Sequence, residues 1–264
     1  MDNTGIVLEM KDISKSFPGV KALDKVSLTV HRGTVHALMG ENGAGKSTLM
    51  KCAFGLYHPD GGEIRIDGEV VSFKDARDAM DKGISMIHQE LHPIRTRNVM
   101  ENIWVGRIPY KKVGPIHWVD EKKMYEATKA LFEELDIRID PRASMGELVA
   151  AHCQLVEIAR AVSYGAKVII MDEPTSGLDP VVRNEILDVF EEYVKDGNHT
   201  IFLSSHITSD LERIADSITY IHNGRIILSD TKENILRSYK TLEDVLLSYV
   251  SAQSRTEWHE GRIV

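Results

Sequence analysis

The nine residues GENGAGKST, positions 40–48, constrain this chain more than any other stretch. They follow the apolar run TVHALM and lead into TLMKCAFG, so a strand, a glycine-rich loop and a helix are predicted in that order. Gly40, Gly43 and Gly45 let backbone N–H groups turn toward a common point, and the positive end of the following helix faces the same way. Such a cradle holds phosphate. At this spacing Lys46 reaches the β- and γ-phosphates of a nucleotide and Ser47 holds Mg²⁺. The residues assigned to nucleotide binding are Gly40, Glu41, Asn42, Gly43, Ala44, Gly45, Lys46, Ser47 and Thr48.

A second half to this site is expected in KVIIMDEP, a continuous apolar run that ends in Asp172 and Glu173. Ligands in open α/β sheets bind beyond the carboxyl ends of strands, which is where this pair falls. Asp172 is placed to support Mg²⁺ and Glu173, one residue on, to polarise an attacking water. Around these motifs the texture alternates. The runs GIVLEM, KVSLTV, TVHALMG and EIRIDG make the first 70 residues β-rich. From about Asn98 the periodicity is helical, most clearly in WVDEKKMYEATKALFEELDI, where Met124, Ala127, Leu131 and Leu135 recur every three or four residues. Then come a helix, VVRNEILDVFEEYVKD, a strand, HTIFLSSH, and a hairpin turning at Asn223 and Gly224. Buried strands alternating with helices predict a largely parallel sheet covered on both faces.

With 264 residues, 42% of them hydrophobic, the chain can bury one large core or two unequal ones. A formal charge of −8 argues against a nucleic-acid partner, because phosphate backbones call for clustered Lys and Arg. The two cysteines, Cys52 and Cys153, each fall in a helical segment and imply no disulfide framework. No apolar run approaches the roughly 18 residues of a membrane span, so a role at a membrane is expected to be peripheral.

In order and spacing, these pieces resemble the ATP-binding subunits of ABC transporters over about residues 5–235. The resemblance adds Gln89 in ISMIHQE as the glutamine that meets Mg²⁺ or water and a membrane partner, and Ser176 to Asp179, SGLD, as the loop following the acidic pair. It makes His206, at the end of IFLSSH, a γ-phosphate contact, and Phe17 in SKSFPGVKAL the aromatic that stacks on adenine. The catalytic group it implies is Glu173, His206, Lys46 and Gln89, with Ser47, Gln89 and Asp172 around the metal and ATP as the nucleotide. The fold it implies is an α/β P-loop NTPase of ABC type, with a mostly parallel core sheet, an antiparallel β subdomain and an α-helical subdomain. Residues 1–240 would form the ATPase domain, with the helical part at about 95–162 inserted, and residues 241–264 a C-terminal helix and polar tail.

One stretch departs from the family pattern. MGELVAAHCQLVEIARAV, residues 145–162, occupies the place of the signature Leu-Ser-Gly-Gly-Gln, so that Val149 stands for serine and His152 for glutamine. Similar monosaccharide-import proteins carry Leu-Ser-Val-Ala-Gln there. The family's serine donates to the γ-phosphate of an ATP held by a second subunit, a bond of about 1.5–3 kcal/mol that valine cannot make. The resemblance therefore implies a second ATPase subunit, identical or different, and a weakened ATPase. Residues 1–175 look most like sugar importers, and GLDPVVRNEILDVFEEYV onward like single-unit export-type subunits. The expected function is ATP hydrolysis powering transport through transmembrane permease subunits at the cytoplasmic face of the membrane, with the first half of the chain pointing to monosaccharide import. The alternatives are an export-type subunit and an ATP-binding module with little turnover.

Overall fold

Two long strands open the chain, β1 (Ile6–Phe17) and β2 (Val20–His31), paired antiparallel around the Pro18–Gly19 turn. The computed structural model describes residues 5–87, 93–113, 115–245 and 247–248. β3 (Val35–Met39) is buried along its whole length and delivers the chain to the glycine-rich loop and α1 (Lys46–Ala53). β4 (Gly61–Ile66), β5 (Glu69–Val71), α2 (Ala76–Asp81) and β6 (Ile84–Ile87) follow. Next come α3 (Val99–Ile103), β7 (Tyr110–Val113), β8 (Ile116–Val119), α4 (Glu121–Glu134) and α5 (Ala150–Val162). The chain continues through β9 (Val168–Asp172), α6 (Pro180–Val194), β10 (Thr200–Ser204) and α7 (Thr208–Ile214). β11 (Ser217–His222), β12 (Arg225–Thr231) and α8 (Lys232–Ser238) follow, then helical residues at 242–245 and 247–248, and residues 249–264 of the expected tail lie outside the described residues.

The strands sort into a six-stranded sheet of order β12-β11-β3-β10-β9-β6 and a four-stranded antiparallel sheet of order β2-β1-β4-β5. In the larger sheet β6, β9, β10, β3 and β11 run parallel, and only the edge strand β12 is antiparallel. Its central strands β3, β9 and β10 read as largely apolar runs because every residue in them is buried. Val35, Ala37, Ile169, Met171, Ile201 and Leu203 point into one core with α5 and α6. Their alternates Leu38, Ile170 and Phe202 point into the other, with Leu49 and Met50 of α1 and Leu8 of the antiparallel sheet. The helix α1 thus lies sandwiched between the two sheets, which fixes where the glycine-rich loop must sit.

Between β6 and β9 the structure is not purely helical. A separate two-stranded sheet pairs Tyr110 with Val119 and Lys111 with Trp118, inside the stretch that helical periodicity had claimed from Trp118 onward. α4 begins only after it, where the Asp120 side chain accepts from the Lys123 N–H and caps the helix. On α4 the fully buried position is Thr128 rather than Ala127. Its hydroxyl donates to Met124 O at 2.8 Å and accepts from the Trp104 indole at 2.9 Å, so a polar residue fills an apolar stripe with both bonds made. Cys52 and Cys153 are both buried as free thiols. Among the described residues no helix is long and apolar enough to cross a membrane.

Candidate functional site

The glycine-rich loop stands at the seam of the two sheets. Gly45 adopts φ 109° at the N-cap of α1, and a Cβ there would lie 2.6 Å from Ala22 O of β2. A Cβ on Gly40 would strike Ile221 O of β11. Both close approaches require glycine, independently of any ligand. The turn between β11 and β12 closes the seam from the side: Gly224 N–H donates to Ala44 O at 2.9 Å, and Asp24 N–H donates to Gly224 O at 2.8 Å. Gly40 and Ala44 are therefore backbone supports packed behind the loop.

In front of the loop lies a cavity of about 670 Å³. Its floor is formed by Glu41, Asn42, Gly43 and the run 45–48 at the start of α1, so the free N–H groups of the helix face into it. Phe17, at the end of β1, forms one wall, held edge-on against Tyr57 with ring centroids 5.3 Å apart. Asp172, Glu173 and His206 form the opposite wall. Every sequence-assigned residue of the site except Gln89, Gly40 and Ala44 lines this one cavity; Gln89 lies outside the described residues. Sequence reasoning had not assigned Val20, Lys21, Ala22, Asn223 and Gly224 to the site, although all of them line it. Asn223 and Gly224 were legible only as a hairpin turn, because nothing in their local pattern says that β11 lies beside β3.

Polar contacts organise the far wall. Asp172 is buried at the end of β9, and its Oδ1 accepts from the Ser204 hydroxyl at 2.7 Å. The Ser204 hydroxyl also accepts from Glu173 N–H at 3.1 Å, which is possible because Ser204 and Asp172 are register partners on parallel strands. Glu173 itself has φ 53°, a left-handed conformation that a side chain adopts only when its surroundings hold it. This conformation turns its carboxylate toward the cavity. Glu173 Oε2 lies 2.7 Å from His206 Nδ1, and Oε1 lies 4.0 Å from Lys46 Nζ. Lys46 is folded back on its own loop, donating to Gly40 O at 2.7 Å and Glu41 O at 3.2 Å. Lys46 and Asp172 are buried and the Glu173 side chain is 12% exposed, whereas the His206 side chain is 61% exposed.

The two unusual residues have different surroundings. Val149 is the N-cap of α5, with extended backbone and no side-chain cap bond, and is 60% exposed. His152, one turn further, lines a second cavity of about 750 Å³ together with Ile139 and with Glu185 and Asp188 of α6. They do not share a surface in front of the phosphate loop of this chain.

A glycine loop leading into a helix sandwiched between two sheets, with a carboxylate pair opposite, defines a nucleotide-binding P-loop domain. Its sequence places it more closely: the profile of the family described as ABC transporter matches residues 23–176, and the chain belongs to that family. It is 48% identical over 235 residues to the galactose/methyl galactoside import ATP-binding protein MglA of Clostridium perfringens, covering 89% of this chain and 45% of that one. It is 52% identical over 227 residues to the protein of the same name from Clostridium tetani, covering 86% and 45%. A putative ribose/galactose/methyl galactoside import ATP-binding protein of Halalkalibacterium halodurans is 51% identical over 231 residues, covering 88% and 44%. The chain thus spans about half the length of the curated relatives it matches. Among solved structures, the ADP conformation of MJ1267, an ATP-binding cassette of an ABC transporter, superposes with a TM-score of 0.78 at 28% identity, covering 91% of this chain and 98% of that one.

Proposed function

We propose that this chain binds ATP and hydrolyses it to drive import of a monosaccharide through membrane-spanning permease subunits, as one unit of a two-site ATPase. The observation that carries this reading is the convergence of Lys46, Ser47, Asp172, Glu173 and His206 on one cavity floored by a helix N-terminus. The names of the relatives supply the sugar, and their roughly doubled length fits a second ATPase unit as partner. The chain would then sit peripherally at the cytoplasmic face of the membrane. In this reading residues 1–240 form the ATPase domain, with the helical part inserted at about 95–162.

In this scheme Phe17 stacks on adenine and the loop N–H groups cradle the phosphates. Lys46 leaves the carbonyls of Gly40 and Glu41 for the β- and γ-phosphate oxygens. Glu173 orients a water for in-line attack on the γ-phosphorus; the new P–O bond forms as the bond to the β–γ bridging oxygen breaks, and ADP departs with that electron pair. His206 moves from Glu173 to a γ-phosphate oxygen. Ser47 and Asp172 line the same cavity, and Ser204 engages only one oxygen of Asp172, so the pair fits a Mg²⁺ ion, with Gln89 as a further contributor. When bound, that ion supplies charge neutralisation at the β- and γ-phosphates.

A second reading, an ATP-binding module with little turnover, is favoured by one observation: Val149 offers no hydroxyl at the N-cap of α5. The ATPase rate of the purified protein with Mg²⁺, beside Glu173→Gln, separates the two. Turnover that Glu173→Gln abolishes supports hydrolysis; ATP binding without turnover in either protein supports the module.

A further inference from the structure

Two helices carry the loops on either side of the catalytic carboxylate. α6 follows SGLD and is capped by Asp179, whose side chain accepts from the N–H groups of Val181 and Val182. α7 begins two residues after His206. Arg183 lies in the first turn of α6, its N–H donating to Asp179 O at 3.0 Å, and Asp210 lies in the first turn of α7, its N–H donating to Ile207 O at 3.2 Å. Their side chains meet, Nη1 to Oδ1, at 3.5 Å, with Asp210 only 8% exposed. At the other end of α7, Arg213 reaches back to α6, donating to Glu191 at 3.1 Å and Asn184 at 3.1 Å and pairing with Asp188.

These contacts close a ring. Ser176 N–H donates to Glu173 O at 3.2 Å; from there the chain runs through Asp179 into α6, crosses at Arg183 to Asp210, and returns along α7 to His206, whose Nδ1 lies 2.7 Å from Glu173 Oε2. The crossing is a poor stabiliser. Arg183 Nε and Asp210 Oδ2 are both buried without a hydrogen-bond partner, and an under-satisfied buried ion pair returns little of its desolvation cost. The exposed pairs of Arg213 are individually weak as well. What Arg183 and Asp210 provide is a fixed register between the helix behind SGLD and the helix behind His206.

We propose that Arg183 and Asp210 are positioning residues: through α7 they hold His206 at the distance from Glu173 at which it can transfer to the γ-phosphate, and they tie that distance to the placement of SGLD. This rests on the hydrolytic reading above. Misplacing a catalytic group by about 1 Å costs on the order of 100-fold in rate. Arg183→Gln and Asp210→Asn are therefore each expected to lower kcat about 10- to 100-fold at unchanged KM and ATP affinity, with the double variant no worse than either single one and Asp210→Glu partly active. The His206 ring signals in ¹H–¹⁵N spectra, assigned with His206→Ala, are expected to shift in both single variants. A fall in thermal stability with kcat and ring signals unchanged overturns the proposal, as do losses that multiply in the double variant. Ring signals that shift in a parent protein without turnover support the positioning and overturn the hydrolytic reading alone. Ring signals that stay put overturn the positioning whether or not the parent turns over.

Discussion

His206 Nδ1 and Glu173 Oε2 lie 2.7 Å apart in the cavity that Lys46 and the glycine-rich loop also line. In this arrangement the base that would orient water is engaged by the residue that would contact the γ-phosphate, and each must exchange its partner when nucleotide enters. Glu173→Gln keeps the shape and removes the charge. General-base help is worth about 10²- to 10⁴-fold, so kcat is expected to fall by that factor while ATP still binds. Gel filtration with ATP and Mg²⁺ should then show a trapped dimer, and elution only as a monomer would count heavily against the scheme.

Val149 caps α5 without a side-chain bond, so Val149→Ser is expected to act twice. A serine N-cap adds about 1 kcal/mol to helix stability, visible as a higher Tm of the isolated chain. The same hydroxyl, offered to a partner's nucleotide, should raise the ATPase rate about ten-fold or more. His152 faces the cavity beside Glu185 and Asp188, and His152→Gln alone should change the rate much less. Equal rates for the parent and Val149→Ser would show that the N-cap of α5 does not enter the reaction.

Phe17 is braced by Tyr57 at the rim of the cavity, so it presents a preset ring face. Base stacking on an aromatic is worth about 1–3 kcal/mol. Phe17→Ala should therefore weaken ATP roughly 5- to 150-fold in a titration calorimeter, with the affinity for inorganic triphosphate unchanged. Equal loss for both ligands would mean that the substitution had disturbed the loop instead.

His36 sits in β3, the strand that runs into the glycine-rich loop, and is buried, with Nε2 2.8 Å from Thr219 Oγ1 and Nδ1 without a partner. Burial pushes its pKa down to about 3, with the nearby His31 adding to the shift. Since the folded pKa lies below the unfolded one, the contribution of the neutral ring is fully present above about pH 6.5 and is lost progressively as pH falls toward 3. Between about pH 7.5 and about pH 5 this amounts to roughly 2 kcal/mol of unfolding free energy. Denaturant titrations should show that loss in the parent and a flatter profile in His36→Gln.

How much of this was legible in the sequence follows from the range over which each feature is encoded. The phosphate loop is local: Gly45 and Lys46 declare it by type and spacing, and the structure places them as expected at the start of α1. Buried strands such as VIIMD are equally plain, because both faces are covered and every residue before Asp172 is apolar. The hairpin β7–β8 was hidden because the described side chains are exposed on both faces, with Tyr110 61% and Trp118 57% accessible, so no alternation marks it. The length of β1 was hidden for another reason. Its pairing with β2 shifts register between Met10 and Ile13, where Asp12 turns left-handed, and the pattern that GIVLEM begins is broken before Phe17. The place of Asn223 in the site and the direction of His152 depend on which strands and helices become neighbours, information that no short window contains.

The glycine-rich loop is also the joint between two sheets, since Gly45 lies against Ala22 of one and Gly40 against Ile221 of the other. A nucleotide bound at that joint would be lost when either half melts, so its binding free energy would add to the stability of both. Saturating ATP is thus expected to raise the temperature at which both sheets melt, the ligand acting as a keystone between them.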